Sequence, residues 1–172
     1  DITGIILAND DGIHRVDDIT LNVKKDKGDY NIVLDSKAAT GSFKGNRNHM
    51  TADFNALDAA SALAYLMPGL YVEHGTTASF QKDTTGYMTG SISSGRLAYN
   101  DNYIKDLKAD MAGTINDMSG TLTSSQIYAG RVELDNNVVT AYKKDSLLHV
   151  NYNFNNTNEA AQRKFGGSDI SA

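Results

Sequence analysis

The stretch YVEHGTTASFQKDTTGYMTG, residues 71–90, predicts two β-strands around a polar turn and sets the fold class. After Gly69 the same alternation of apolar and polar residues continues to the end of the chain, in segments such as GRLAYN, MSGTLTS and NVVTAYKK. Gly, Asn-Asp or Lys-Asp turns separate these segments. Polar residues on one face and apolar residues on the other indicate an antiparallel sheet that is buried on one side.

The number of these segments bears on the architecture. A long one-sided meander protects its edge strands best by closing into a barrel. We therefore expect a mainly β protein in which residues 69–172 form an antiparallel β-barrel of about eight strands. Residues 1–68 are expected to form a smaller β subdomain, a handle, which contains a hairpin around Asn46 and Arg47.

One segment breaks the strand pattern. NALDAASALAYLM, residues 55–67, places Leu57, Ala60, Leu63, Ala64 and Met67 near helical spacing. Pro68 and Gly69 follow and would end a helix. The sequence therefore predicts one short helix over residues 55–67, between handle and barrel.

Composition excludes several classes of function. The chain has 172 residues, no cysteine and a formal net charge of −5. The absence of cysteine excludes disulfides, thiolate metal sites and cysteine nucleophiles. No basic run suggests nucleic-acid binding, and no stretch is apolar enough to span a bilayer as a helix. No GxSxG, HExxH or phosphate-binding glycine loop is present, so we do not expect an enzyme.

Three motifs carry a family resemblance. YVEHG (71–75), TTGYMTGSIS (84–93) and LKADMAGTINDMSGTLT (107–123) follow one another along the chain. They resemble the barrel of bacterial surface proteins like transferrin-binding protein B, where a YVxxG strand precedes a GxAxYxG segment and a strand–turn–strand that ends in SGTL. Residues 151–171 look like the closing strand of that family, although Asn155 and Asn156 replace its aromatic–glycine step.

The resemblance implies a binding protein that is secreted or lies at the cell surface. With no lipidation cysteine and a short handle, the chain is most similar to secreted heme-binding proteins of the hemophilin kind. The implied ligand is heme, and the implied partners are an outer-membrane receptor and a host heme protein. The alternative is the ectodomain of a surface lipoprotein that binds transferrin, haemoglobin or a complement regulator. A structural or adhesive β-module without a small ligand is a third interpretation.

Heme iron needs an axial ligand, which in a chain without cysteine is histidine, methionine or tyrosine. His49 is the first candidate for the metal ligand and His14 the second, because both lie near turns of the handle. The competing interpretation of His49 is a strand residue on a polar face. His74 and His149 fit the strand pattern and are interpreted as structural or solvent-facing residues.

A heme pocket also needs cations for the propionates and apolar walls for the porphyrin. Arg47 and Lys44 could contact propionates, and Tyr65, Met67 and Tyr71 could supply walls together with Leu63 and Leu66. For the alternative function, the segment 99–106 is predicted to be an exposed loop whose tyrosines contact a partner protein.

Overall fold

The strands of this protein pair with their neighbours along the chain. A computed structural model describes residues 5–9, 12–16, 19–58, 67–144, 147–157 and 165–171. The described strands, in chain order, are β1 (Ile5–Asn9), β2 (Gly12–Val16), β3 (Thr20–Asp26), β4 (Asp29–Asp35), β5 (Ala39–Gly45), β6 (Met50–Ala56), β7 (Leu70–Val72), β8 (Thr77–Lys82), β9 (Met88–Tyr99), β10 (Asn102–Gly113), β11 (Ser119–Ala129), β12 (Val132–Lys144), β13 (Leu147–Asn155) and β14 (Phe165–Ser171). A helix with the length and hydrophobicity to cross a membrane does not occur in this part of the chain.

The strands form two antiparallel sheets. β1 and β2 make a hairpin of their own. The other twelve strands form one sheet in the order β14-β13-β12-β11-β10-β9-β8-β6-β5-β4-β3, and β7 pairs with the far end of β9. The mainly β, antiparallel architecture predicted from the alternation is therefore confirmed.

The strand register places apolar side chains on one face of the large sheet. Directly opposed residues of paired strands point to the same face, as do residues two apart in one strand. The first apolar row is Leu21, Leu34, Gly41, Phe54, Ala78, Ile92, Ala109, Leu122, Val139, Tyr152 and Ser168. The second is Val23, Ile32, Phe43, Ala52, Phe80, Gly90, Met111, Gly120, Ala141, Val150 and Ile170. We call these two rows the apolar face.

The row between them points to the opposite face and is polar except for Val33. It includes Ser42, whose hydroxyl donates to the Asp53 carboxylate at 3.3 Å, and Ser79, whose hydroxyl lies 2.8 Å from that of Ser91. Among the described residues only Ala39, Ala56 and Leu107 are buried hydrophobic residues. The chain by itself thus leaves much of its apolar face accessible.

Ser94, Ser124 and Asn137 are buried polar residues in the middle of the sheet, and we call them the buried polar row. Asp106 and Asn136 adopt positive φ angles of 49° and 50° inside their strands. Backbone pairing of β10 and β12 with β11 skips both residues, so nearby carbonyl groups need other donors. The Ser124 hydroxyl donates to the Lys105 carbonyl at 2.9 Å, and the Asn137 amide donates to the Leu134 carbonyl at 2.8 Å. Side chains therefore replace the missing backbone bonds.

The predicted closed barrel is not confirmed, because the large sheet is open. Closure of residues 69–172 would require the first strands of that segment to pair with the last. Instead β8 pairs with β6, from the predicted handle, and β14 pairs with β13. The handle strands thus occupy the edge that closure would need. The division of the chain at residue 68 stays a prediction, and the sheet runs across it.

The start of the predicted helix is wrong. Asn55 and Ala56 end β6, where Asn55 pairs with both Thr40 and Thr77. Strand pairing on both sides outweighs the modest helix propensity of a few residues. Residues 59–66, the centre of the predicted helix, lie outside the described residues.

The buried polar row generates a stability prediction. The Tyr152 hydroxyl donates to the Asn137 amide oxygen at 2.7 Å, and Asn137 is 1% exposed. Tyr152→Phe leaves that oxygen without its donor, and we expect a loss of about 1–3 kcal/mol in the free energy of unfolding. Urea unfolding followed by circular dichroism measures the loss.

The control for this variant is Tyr142→Phe, because the Tyr142 side chain is 45% exposed and its change should cost little. Burial raises the pKa of Tyr152 above its ordinary value of 10.0. The folded state therefore favours the protonated phenol, and this contribution is lost as the pH rises above about 10. Equal stability losses in the two variants would contradict the role of Tyr152.

Candidate functional site

The His49 turn is organised by a carboxylate from a neighbouring hairpin. Asp29 begins β4, and one of its carboxylate oxygens lies 3.3 Å from His49 Nε2. The other oxygen accepts a hydrogen bond from the Asn46 side-chain amide. The Asn46 backbone N–H donates to the His49 carbonyl at 2.7 Å and closes the turn. Asp29 thereby holds both ends of the turn that presents His49.

Gly45 allows this turn to be tight. Its φ is 120°, in the region that favours glycine, and a Cβ there would lie 2.2 Å from the His49 carbonyl oxygen. Gly45 also pairs with Met50 across the hairpin. Because that clash is with backbone, a side chain at residue 45 would displace the turn that carries His49.

His49 opens into a groove with a volume of about 540 Å³. Two cations, Lys44 and Lys82, line the groove together with Met50 and Asp83. The Lys82 ammonium donates to the Arg47 carbonyl at 2.8 Å, which places Arg47 at the rim. The groove thus contains two of the predicted heme contacts, His49 and Lys44, whereas Arg47 adjoins it through its backbone carbonyl.

The predicted apolar walls do not lie at this groove. Met50 pairs with Lys82, which pairs with Met88 at the start of β9, whereas Tyr71 pairs with Ala98 near its end. Along β9 these positions are up to about 33 Å apart, at about 3.3 Å per residue. Met67 is exposed just before β7. Tyr65 lies outside the described residues, and so does the side chain of His14, which is in β2.

The other two described histidine side chains have contacts away from the His49 groove. His74 Nδ1 contacts the Leu57 carbonyl oxygen. The His149 ring stacks on Tyr142, with centroids 4.8 Å apart and planes 9° apart. His74 lies in the turn after β7 and not in a strand, and His149 is half-buried in β13. Within the described part of the chain, no three His, Asp or Glu side chains group as a metal site would require.

A second cluster is a ladder of tyrosine and arginine, which contains Tyr71 from the predicted heme walls. Tyr71, Ala98, Tyr103 and Tyr128 lie in one register row across β7, β9, β10 and β11. The Arg96 guanidinium lies 5.8 Å from the Tyr71 ring centroid and 5.1 Å from that of Tyr103. Tyr103 stacks on Tyr128 at 5.3 Å. Arginine thus fills the gap above the small Ala98, and we call this set the Tyr–Arg ladder.

A polar network fixes the ladder. The Tyr103 hydroxyl donates to the Gln126 amide oxygen at 3.1 Å. The Gln126 amide group donates to Glu133 and, at 3.4 Å, to Asp135. The Lys105 ammonium lies 5.1 Å from the Tyr103 ring centroid. The surface therefore combines aromatic, cationic and anionic groups in one fixed arrangement.

The prediction that residues 99–106 form an exposed loop is wrong for most of that segment. Only Asn100 and Asp101 form the turn, and Tyr103 is a half-buried residue of β10. Tyr99, at the end of β9, is 52% exposed. Arg96 and Tyr128 were missed because the ladder depends on cross-strand register, which alternation within each strand does not reveal.

The turn between β8 and β9 borders the groove and carries a perturbed carboxylate. Asp83 accepts hydrogen bonds from the Thr85 hydroxyl at 2.6 Å, the Thr85 N–H at 2.8 Å and the Tyr87 N–H at 3.0 Å. These bonds, above all that from the Thr85 hydroxyl, lower the pKa of Asp83 below its ordinary value of 3.8. The turn thus keeps a fixed anion beside the two lysines.

Comparison with family models, with curated proteins and with solved structures finds no match for this chain. The resemblance to transferrin-binding proteins therefore stays a prediction that depends on the three motifs. The geometry of the two clusters supports the functional proposals below.

We expect Thr85→Val to raise the pKa of Asp83, because it removes the strongest donor to the charged carboxylate. Carboxyl chemical shifts measured by NMR during an acid titration report this pKa. The contribution of Asp83 to stability is present above its ordinary pKa and is lost as the pH falls through its lower folded value. Thr84→Val is the matched control, and an equal rise in that variant would contradict the assignment.

Proposed function

We propose that this protein is a heme-binding protein, a hemophore, that captures heme at the His49 groove. The observation that carries this proposal is the contact between His49 Nε2 and the Asp29 carboxylate at 3.3 Å. Histidines that ligate metals commonly donate their second ring N–H to a carboxylate. Because Asp29 engages Nε2, the nitrogen that would ligate iron is Nδ1.

The surroundings of His49 fit the two chemical parts of heme. The cations Lys44 and Lys82 line the groove and would pair with the anionic propionates, together with Arg47 from the adjoining turn. Met50 lines the groove. It is two residues before Ala52 in β6 and therefore points to the same side of the sheet as the apolar face. Met50 would give the porphyrin an apolar contact within the groove, and the lysines would hold its carboxylates. Bound heme would supply the iron, and the chain would supply its axial ligand and its orientation.

Secretion or a surface location, and delivery to an outer-membrane receptor, follow from the family resemblance. A protein of this kind acts by binding and release, and we propose no enzymatic step. Since heme is released by host heme proteins such as haemoglobin, a host heme protein is the proposed source.

The proposal predicts an absorbance change on titration with hemin. The parent protein is expected to shift the Soret band, and His49→Ala should abolish the shift because it removes the axial ligand. Asp29→Asn should weaken hemin binding by about 10–100-fold, because it removes the carboxylate that orients the ring.

His74→Ala is the matched control, since its ring contacts a backbone carbonyl away from the groove. It should bind hemin as the parent does. A parent protein that leaves the hemin spectrum unchanged would refute the proposal, and a shift that persists in His49→Ala would exclude His49 as the ligand.

The Tyr–Arg ladder favours a second candidate function, binding of a host protein such as transferrin, haemoglobin or a complement regulator. Tyrosine and arginine dominate the residues that contribute most to protein interfaces. Here Arg96 is already ordered between Tyr71 and Tyr103, which lowers the entropy lost on binding. Exposed Tyr99 extends the same end of the sheet.

This candidate predicts that Arg96→Ala weakens binding to the partner by about 30-fold, equivalent to about 2 kcal/mol. Surface plasmon resonance with immobilised transferrin, haemoglobin and a complement regulator measures the change. Lys108→Ala is the control, because Lys108 pairs with Ser93 and Thr123 in a row outside the ladder. Failure of all three proteins to bind the parent would exclude this function.

A further inference from the structure

The apolar face is larger than a folded monomer normally leaves accessible. It crosses eleven strands, all those from β3 to β14 except β7, which at about 4.8 Å between strands is a width of about 48 Å. A typical monomer exposes contiguous apolar patches of only about 300–600 Å². At the edge of the sheet Leu21 and Val23 remain 49% and 55% exposed, and Ile170 at the other edge is 60% exposed.

The total surface of the chain leads to the same conclusion. Its solvent-accessible area is 11525 Å² for a mass of 18.6 kDa. A folded monomer of that mass is expected to expose about 8,200 Å². The chain therefore exposes about 3,300 Å² more surface than a compact monomer of its mass.

The chemistry of the face suits a second copy of the same chain. In a two-fold symmetric dimer both chains use the same patch, so an uncharged apolar patch is complementary to itself. The two rows of the apolar face contain no charged residue. An obligate homodimer interface of about 2,000–5,000 Å² removes about 1,000–2,500 Å² from each chain, which is less than this excess.

The β3 edge of the sheet is less suited than its apolar face to contact a second copy. Edge strand β3 ends in Lys24, Lys25 and Asp26. Charged residues on an edge strand disfavour pairing with another edge. We propose that two copies of this chain pack through their apolar faces, face to face, and form a two-layered sheet protein.

Cross-linking of single-cysteine variants tests this dimer, because the natural chain contains no cysteine. Ala109→Cys places a thiol in the centre of the apolar face, and Ser91→Cys places one on the opposite face one strand away. A bismaleimide should yield at least ten times more cross-linked dimer with Ala109→Cys than with Ser91→Cys. Both are small changes, and circular dichroism should show the strand content of the parent.

Sedimentation equilibrium of the unmodified chain gives an independent readout. We expect the mass of two chains, and Val139→Glu should shift the equilibrium toward one chain while Thr140→Glu, on the opposite face, does not. A sedimentation mass of one chain, with the strand signal intact in circular dichroism, would overturn the proposal. It would do so even if mass spectrometry found an apolar small molecule bound to the monomer. Equal cross-linking of the two cysteine variants would overturn it as well.

Discussion

The structure depends on the need of an antiparallel sheet to keep its apolar side chains on one face across every strand. A shift of one residue in any strand pairing would move that strand's apolar residues to the polar face. The observed register avoids this from Leu21 in β3 to Ile170 in β14. One consequence is a single wide apolar face. The other is that a partner is needed to bury this face, for which we propose a second copy of the chain.

The buried polar row shows how the sheet tolerates residues that interrupt its backbone pairing. Asp106 and Asn136 have left-handed backbones, which Asp and Asn accept more readily than most residues do. Buried carbonyl groups left without a partner are costly, and the side chains of Ser124 and Asn137 donate to them. The row also lies between the two candidate sites, since His49 is at one end of the sheet and the Tyr–Arg ladder is toward the other.

The two candidate sites differ in what positions them. The His49 groove depends on a local turn and one carboxylate, Asp29, brought from the neighbouring hairpin. The Tyr–Arg ladder depends on the register of four strands, with Ala98 leaving the space that Arg96 fills. A ligand with anionic groups suits the first site, and a protein surface suits the second.

The sequence by itself determined the strand class, the hairpin at Asn46 and the division into apolar and polar faces, because alternation within a strand is a local property. It also identified His49 with Lys44, which are close along the chain. Only the tertiary structure shows that the sheet is open. The alternation within β8 is compatible with pairing to β6 or with closing a barrel, and β8 pairs with β6. Tertiary structure likewise decided the Asp29 contact and the Tyr–Arg ladder, because cross-strand register joins residues far apart in sequence.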